Sequence, residues 1–278
     1  MTIAQTTMRT LRAIIKFIAF CLLTAGFYLL LLVVYPLVFA FARAERGWRY
    51  FIFRNWAGVM AWLLGMKITV RGAPPRPPFF MVSNHLSYVD VIAFASQLDC
   101  VFVAKSDIAN WPAFGVMCRS MNTIFIDRTN RQDIPRVNAQ IEKVMSNGEG
   151  VLAFPEGTST RGEGVLPFKP GVLEPAARAG CPVHYASISY RTPAGEPPAH
   201  LAVSWWGDAA FLPHLFGLFH VSGFEATLVF GAEAIEESDR KLLALRLHDA
   251  VQKIFVPVVA AAESVEKGCE TKQHQLIS

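Results

Sequence analysis

The sequence predicts an α/β fold: a layered, largely parallel central sheet flanked by helices, preceded by a pair of apolar, membrane-associated helices. Two observations lead to this prediction. Beyond residue 72, short apolar runs alternate with longer segments of helical pattern, which is typical of a parallel sheet covered by helices. Before that point, two long apolar stretches lie close to the N-terminus. A chain of 278 residues suffices for one sizeable core with extra elements, or for two small domains.

The first apolar stretch contains no charged residue from Phe17 to Ala42. As a helix it would extend about 39 Å, more than the roughly 30 Å hydrocarbon core of a bilayer requires, with a kink at Pro36. A signal peptide is the alternative, because basic residues precede the run and Ala40-Phe41-Ala42 mimics a cleavage site. The apolar run is, however, much longer than the ~7–15 residues of a signal core. A membrane-associated helix is therefore the favoured interpretation.

The second apolar stretch extends from Tyr50 to Val70 and is interrupted by Arg54 and Lys67. Basic residues lie on both sides of the first stretch. A hairpin that crossed the bilayer twice would place one basic cluster outside, against the positive-inside tendency. A single crossing, or two helices that dip into one leaflet, fits better.

The composition excludes several classes of protein. Apolar residues make up 53% of the chain and charged residues 17%, below the roughly 25% usual for soluble domains. The net charge of +4 comes without a dense basic stripe, so no nucleic-acid partner is expected. Such a balance suits an anionic membrane surface or phosphate-bearing substrates. The five cysteines form no C-x-x-C pair, which argues against a zinc site and for a reducing compartment: Cys21, Cys100, Cys118, Cys181 and Cys269.

A stiff, proline-rich linker at residues 72–78 is expected to end the preceding helix. The predicted strands are Phe79–Ser83, Val101–Lys105, Thr123–Asp127, Val151–Phe154, Val183–Tyr190, Ala202–Trp205 and Phe224–Val229. The predicted helices are Tyr88–Gln97, Pro112–Met121, Ile134–Ser146, Val172–Ala179 and Asp239–Ile254. The chain thus divides into membrane-anchoring helices (residues 1–71), an α/β domain (72–260) and a disordered tail (261–278).

The first candidate catalytic residues follow the first of these strands, in the segment Ser83-Asn84-His85-Leu86-Ser87-Tyr88-Val89-Asp90. A histidine is the natural general base for a hydroxyl near neutral pH, and a carboxylate can fix its tautomer. Positions five apart diverge by roughly 140° on a regular helix, so the pair can meet only if His85 lies in the loop or first turn. A structural alternative is that Asn84 or Ser87 caps the helix and Asp90 favours its dipole.

Three further blocks follow this segment in order. They are Phe125-Ile126-Asp127-Arg128, then Phe154-Pro155-Glu156-Gly157-Thr158-Ser159-Thr160-Arg161, then Phe168-Lys169-Pro170-Gly171. Together with Asn84-His85 and Asp90 they resemble the glycerolipid acyltransferase family, which includes enzymes that acylate lysophosphatidic acid. The resemblance covers roughly Phe79 to Tyr190 in its motifs and extends more loosely to the last helix.

The resemblance implies a role for each matching residue. His85 would deprotonate the acceptor hydroxyl, and Asp90 would orient the imidazole. Arg128 would bind the polar head of the acceptor, while Glu156 and Gly157 would shape the acceptor site.

Two more basic residues are candidates from their chemistry. Lys105 and Arg161 lie at strand ends or in the loops that follow, where α/β sheets bind their ligands. A guanidinium group suits phosphate because it can donate two parallel hydrogen bonds. Each cation also has a structural alternative: Arg128 pairing with Asp127 or Asp133, and Lys105 remaining solvated.

The resemblance implies a membrane-bound O-acyltransferase. It would move a fatty acyl group from acyl-CoA or acyl carrier protein to the free hydroxyl of a lysophospholipid, foremost 1-acyl-sn-glycerol-3-phosphate, giving phosphatidic acid. The expected location is the bacterial inner membrane, with the catalytic domain on the cytoplasmic side. No metal or resident cofactor is expected, because the thioester is already activated and positioning, one base and oxyanion stabilisation lower the barrier.

The chain departs from the family pattern in two places. Many members have arginine where this chain has Ser159, and the basic residue arrives at Arg161 instead. The same chemistry on another lysolipid, such as lyso-ornithine lipid, therefore stays open. The second departure is in the block Cys181-Pro182-Val183-His184-Tyr185, where members often have a second proline at the position of Tyr185. We interpret this block as structural.

Other classes of protein fit the motifs less well. A serine hydrolase would require G-x-S-x-G, and the run from Gly157 to Arg161 fails at its last position, although a lipid hydrolase remains an alternative. Gly148 and Gly150 precede a predicted strand rather than follow one, which is wrong for a dinucleotide site. A non-catalytic membrane adaptor is the third alternative, and the intact histidine–aspartate pair argues against it.

Overall fold

The computed structural model describes residues 3–112 and 114–259. Its helices are α1 (Ile3–Val38), α2 (Ala42–Leu64), α3 (Val89–Ala95), α4 (Phe114–Ser120), α5 (Ile134–Ser146), α6 (Glu174–Ala179), α7 (Ala199–Ala202), α8 (Phe211–His220) and α9 (Arg240–Ile254). Its strands are β1 (Met66–Arg71), β2 (Phe79–Ser83), β3 (Cys100–Lys105), β4 (Ile124–Ile126), β5 (Gly150–Ala153), β6 (Val183–Arg191) and β7 (Phe224–Phe230). The tail predicted to be disordered lies outside the described residues.

The seven described strands form one sheet in the order β1-β7-β6-β2-β5-β3-β4. Every neighbouring pair is parallel except β6 and β7, which are antiparallel. The central strands β2 and β5 are buried along their whole length, which explains their uninterrupted apolar sequences. The predicted α/β fold with a largely parallel sheet is confirmed.

Helix α1 runs without a break from Ile3 to Val38 and includes Pro36. Within the described part of the chain, the segment Thr6–Val38 is the one helix long and apolar enough to cross a membrane. It packs against α2, where the Trp56 indole Nε1 donates to Thr24 Oγ1 at 3.1 Å. The outer face of α1 is lined by exposed leucine, isoleucine and phenylalanine side chains.

Helix α2 differs from the second apolar helix that was predicted. It ends at Leu64 because Gly65 adopts a left-handed conformation (φ 69°), and a Cβ atom there would lie 2.8 Å from the Ser222 carbonyl oxygen. The rest of the apolar stretch forms β1, which pairs with β7. The proline-rich linker therefore follows a strand rather than ending a helix, and the sheet begins inside the segment assigned to membrane anchoring.

A buried ion pair joins α2 to the turn before β5. Arg49 Nη2 lies 2.8 Å from Glu149 Oε2, and both side chains are 3% exposed. The Tyr50 hydroxyl donates to the same carboxylate oxygen at 2.5 Å. A charged contact this deeply buried requires good geometry, so it fixes how the N-terminal helices sit on the sheet.

The predicted strand Ala202–Trp205 is wrong. Pro198 precedes a short helix, α7, and the Trp205 backbone N–H donates to the Leu86 carbonyl at 2.8 Å instead of to a neighbouring strand. Helix α8 was not predicted at all, although it packs against α1. The Arg12 guanidinium donates to the His220 carbonyl at 2.6 Å at the end of this helix.

Candidate active site

Four parallel neighbours in the sheet bring the predicted site residues to one edge. His85 follows β2, Lys105 ends β3, Arg128 follows β4 and Glu156 follows β5. Because these strands are adjacent and parallel, their carboxyl ends meet at the same edge. Most of the candidate residues are thus neighbours in space although they lie far apart in the sequence.

His85 and Asp90 form a hydrogen-bonded pair. His85 lies in the loop before α3, and its Nδ1 is 2.7 Å from Asp90 Oδ2, as the spacing of the two residues requires. A carboxylate accepts, so Nδ1 carries the proton and the lone pair of Nε2 is available. Among the described residues, no hydrogen-bond partner of Nε2 is recorded, and the side chain is 16% exposed. The histidine has the geometry of a general base.

Asp90 is fully buried, and every polar contact it makes orients the pair. Its Oδ2 also accepts the backbone N–H groups of Leu86 at 2.7 Å and Ser87 at 3.1 Å. Its Oδ1 accepts the Tyr190 hydroxyl at 2.6 Å, and burial together with the Asp90 charge raises the pKa of that phenol. Tyr190 is a site residue that sequence reasoning missed, because it lies on β6, 100 residues away. The structural alternative, a carboxylate that only favours the helix dipole, does not describe these contacts.

Glu156 holds the backbone of the catalytic loop. Its Oε1 accepts the His85 N–H at 2.6 Å, and its Oε2 accepts the Leu166 N–H at 2.9 Å. The side chain is 2% exposed, and burial raises the pKa of the carboxyl to about 7. Both oxygens are therefore occupied by backbone donors, which makes Glu156 a residue that positions His85.

Gly157 and Arg128 form the next contact along this edge. Arg128 Nη1 donates to the Gly157 carbonyl at 2.6 Å, while the Arg128 side chain remains exposed. Gly157 has a φ of 73°, and a Cβ atom there would lie 2.6 Å from Lys169 Nζ. Glycine is thus required both for its backbone conformation and for the lysine that covers it. Lys169 belongs to the third block, but no role was predicted for it.

Lys105 and Arg161 are less closely tied to the histidine. Lys105 forms an ion pair with Asp107, and both side chains are exposed. The Arg161 guanidinium lies over the Trp206 ring at 5.4 Å and approaches Glu163 at 3.4 Å. These two predictions of substrate binding therefore stay predictions.

Ser159 is engaged away from the histidine. Its hydroxyl donates to the Trp205 carbonyl, which joins the block Phe154–Arg161 to the loop before α8. The next residue, Thr160, ties this block to the catalytic segment, because its backbone N–H donates to the His85 carbonyl at 3.0 Å. The serine therefore acts in loop packing in this structure.

Helix α9 supports the site from behind, a contribution that sequence reasoning missed. The Gln252 side-chain oxygen accepts the Val165 N–H at 2.8 Å, and His248 Nε2 donates to the Val165 carbonyl at 3.1 Å. These bonds hold the loop segment at Val165. The next residue, Leu166, donates its backbone N–H to Glu156. No local motif signals these contacts, because Gln252 and His248 lie 87 and 83 residues from Val165.

An apolar cavity of about 170 Å³ lies against α3, the helix that follows the catalytic loop. Tyr88, three residues after His85, lines it together with residues of α1, α2, α3, β3, α4 and α8. The walls are almost wholly aromatic and aliphatic: Phe20, Phe53, Trp56, Ile92, Phe102, Trp111, Phe114, Met117, Met121, Phe211, Leu215 and Phe219, among others. Such a lining accepts an acyl chain rather than a polar ligand.

Comparisons with known proteins identify the family of the chain. The family model described as Acyltransferase matches residues 67–189. Over 216 residues the chain is 30% identical to the lyso-ornithine lipid O-acyltransferase of Rhizobium meliloti, covering 73% of this chain and 74% of that protein. Over 199 residues it is 29% identical to the 1-acyl-sn-glycerol-3-phosphate acyltransferase of Neisseria meningitidis, covering 71% and 77%.

The fold has a counterpart among solved structures. The crystal structure of the 1-acyl-sn-glycerophosphate acyltransferase from Thermotoga maritima superposes with a TM-score of 0.55 at 21% identity, covering 86% of this chain and 97% of that one. The chain belongs to the acyltransferase family. The family resemblance predicted from the four sequence blocks, and with it the enzyme class, is confirmed.

Proposed function

We propose that this protein transfers a fatty acyl group from a thioester to the free hydroxyl of a lysophospholipid, foremost 1-acyl-sn-glycerol-3-phosphate. The observation that carries the proposal is the contact of His85 Nδ1 with the buried Asp90, in a segment whose Tyr88 lines an apolar cavity. The donor is acyl-CoA or acyl carrier protein, both of which present the same activated carbonyl.

In the proposed reaction, His85 Nε2 removes the proton from the acceptor hydroxyl. The acceptor oxygen attacks the thioester carbonyl, and the C–S bond of the tetrahedral intermediate then breaks. The leaving thiolate takes the proton from the imidazolium, so the histidine returns to its starting state. Asp90 stabilises the imidazolium in between, and Glu156 keeps the histidine backbone in place.

Two arginines support an acceptor that carries phosphate. Arg128 has one nitrogen on the Gly157 carbonyl and an exposed side chain, so its remaining donors can bind a head group. Arg161 lies in the loop that follows Glu156, beside Trp206.

A second acceptor, lyso-ornithine lipid, is favoured by Ser159. The position offers no guanidinium, and its hydroxyl is bound to the Trp205 carbonyl. Several relatives are named for transfer to lyso-ornithine lipid, and others for transfer to 1-acyl-sn-glycerol-3-phosphate.

The membrane location follows from where the substrates are. We place α1 in the bilayer and the α/β domain on the cytoplasmic side, where thioester donors are made. The apolar outer face of α1 and its side-by-side packing with α2 support a hairpin held in the membrane surface as well as a single crossing.

The test is acyl transfer by the full chain in detergent or vesicles, with both donors offered and both acceptors in parallel. We expect a diacylated product from wild type and its loss in His85→Ala. His184→Ala is the matched control, since this half-buried histidine on β6 contacts Phe79 and not the site. Transfer that survives His85→Ala would refute the base assignment, and the acceptor that reacts decides between the two lipids.

A further inference from the structure

Helix α8 is apolar on every side, yet one side of it is exposed. Its sequence, residues 211–220, contains no Lys, Arg, Asp or Glu. The inner side chains Leu215 and Leu218 are buried and line the apolar cavity. On the outer side, Leu212 is 65% exposed and Phe216 is also exposed. A helix without a polar face requires an apolar environment all round, and the described residues leave one side of this one uncovered.

The polar groups of α8 do not change this picture, because they are used internally. His214 Nε2 donates to the Ser204 carbonyl at 3.0 Å, which leaves Nδ1 to accept the Tyr88 hydroxyl at 3.0 Å. His220 Nδ1 bonds the Phe216 carbonyl at 3.0 Å.

The outer face of α8 continues the outer face of α1. The Phe17 ring lies 6.4 Å from Phe216 and 6.0 Å from Phe219. Two cations of α1 fasten the C-terminal end of α8: Arg12 donates to the His220 carbonyl at 2.6 Å, and Lys16 to the Val221 carbonyl at 3.3 Å. Whatever covers the exposed apolar residues of α1 therefore extends over α8.

We propose that the outer face of α8, formed by Leu212, Pro213, Phe216 and Gly217, is inserted in the lipid bilayer beside α1. Ten residues span about 15 Å, half of the roughly 30 Å hydrocarbon core, so α8 is too short to cross the bilayer and only its outer face would enter the lipid. The inner face of the same helix is a wall of the cavity, so α8 separates the acyl cavity from the acyl region of the bilayer. The inference rests on the proposed function, which places α1 in the membrane.

Photo-crosslinking in vesicles of phosphatidylethanolamine and phosphatidylglycerol tests the inference. p-Benzoylphenylalanine is placed at Leu212, at Ile15 on the outer face of α1, and at Leu245, which is 56% exposed on the charged helix α9. After illumination, protein–lipid adducts are measured by intact mass. We expect Leu212 to give adducts at the level of Ile15 and about ten times the level of Leu245.

Each contrary outcome overturns the inference. Adducts at Leu212 no more frequent than at Leu245 would place α8 in water, and crosslinks from Leu212 to a second copy of the chain would make the face a protein interface. Acyl transfer is measured for every variant in the same vesicles. Acyl transfer without lipid adducts at Leu212 refutes the membrane contact of α8 and leaves the proposed function intact. Absence of acyl transfer by wild type refutes the proposed function.

Discussion

The charge of Asp90 and its hydrogen-bond geometry can be separated by substitution. Oδ2 accepts two backbone N–H groups as well as His85, so the oxygen of an asparagine would occupy that position and keep the imidazole tautomer. Asp90→Asn therefore removes the charge that stabilises the imidazolium but preserves the orientation. We expect kcat to fall about 100-fold, since an adjacent opposite charge favours a charged form by about 1–3 pKa units.

Asp90→Ala provides the contrast, because it also leaves the two backbone donors and the Tyr190 hydroxyl unpaired. Its loss of kcat should approach that of His85→Ala. If Asp90→Asn were as inactive as Asp90→Ala, the charge of Asp90 rather than its orienting hydrogen bonds would be the main contribution. Transfer kinetics at saturating donor and acceptor measure both variants.

Glu156 gives stability a pH dependence whose sign can be worked out. Burial raises the pKa of this carboxyl from 4.5 to about 7 in the folded protein. Below about 4.5 the group is protonated in both states. Between about pH 4.5 and pH 7 the carboxyl is ionised in the unfolded chain but still protonated in the folded protein. The stability that this protonated carboxyl contributes is therefore lost as the pH rises, on the order of 3 kcal/mol in all.

The comparison of wild type with Glu156→Gln isolates this effect. The free energy of unfolding of wild type minus that of the variant should decrease from pH 5 to pH 8. The activity of wild type should increase over the same pH range, because only the ionised carboxylate accepts both the His85 and the Leu166 N–H groups. Parallel stability profiles for the two proteins would contradict the assignment.

The buried ion pair between Arg49 and Glu149 decides how α2 docks on the sheet. Arg49→Met should lower the free energy of unfolding by about 3–5 kcal/mol, because the Glu149 carboxylate stays buried without its partner. Arg49→Met combined with Glu149→Gln should recover a large part of the loss, since the amide oxygen still accepts the Tyr50 hydroxyl.

Arg54→Met is the matched control on the same helix. Arg54 pairs with Asp99 at 2.9 Å, but both side chains are exposed, so the loss should stay below about 1 kcal/mol. Chemical denaturation in detergent measures all three variants. Equal losses for Arg49→Met and Arg54→Met would contradict the locking role of the buried pair.

Helix α9 acts on the histidine through two loops. Gln252→Ala removes the acceptor of the Val165 N–H and frees the loop whose Leu166 N–H holds Glu156. We expect a fall in kcat of about 3- to 10-fold with little change in KM, in line with one lost hydrogen bond. Gln252→Glu keeps the acceptor and should restore kcat, while Lys253→Ala, at the exposed neighbouring position, should have no effect. A change in KM alone would point to substrate contact instead.

The sequence predicted elements well where apolar and polar residues alternate with a clear period. The predicted helix Ile134–Ser146 has the same bounds as α5. Asp239, the predicted start of the last helix, is the N-cap of α9, and its side chain accepts two backbone N–H groups. Where apolar residues run on without a period, the prediction failed. The second apolar stretch hid the boundary between α2 and β1 at Gly65, and α8 has no polar face to reveal a helix.

The site divides in the same way. The contact between His85 and Asp90 is local: the spacing showed that it requires His85 in the loop, and the resemblance assigned the pair its role. Tyr190 and Gln252 reach the site only through the packing of β6 and α9, so no local pattern could indicate them. Glu156 was named from the resemblance, but its backbone partners depend on how three loops meet.

The catalytic segment and the apolar helices α1 and α8 share one apolar cavity. Tyr88 lines it beside the catalytic loop, and residues of α1, α2, α3, β3, α4 and α8 form its walls. An acyl chain that occupied this cavity would have its thioester carbonyl near His85 and its tail among aromatic side chains. The length of chain accepted should then depend on side chains far from the histidine.

Neighbouring residues of α4 test this expectation. Met117 lines the cavity, whereas the neighbouring Val116 is exposed and does not line it. Met117→Trp fills part of the space, so the preferred acyl donor should become shorter and the kcat/KM for long chains should fall about 10-fold or more. Val116→Trp should leave the chain-length profile unchanged. Competition between acyl donors of different length, with the products resolved by mass, gives the profile directly. If Met117→Trp lowered transfer of all chain lengths equally, the acyl chain would bind outside this cavity. The reason is that a residue of the cavity wall can change the preferred chain length only when the acyl chain occupies the cavity.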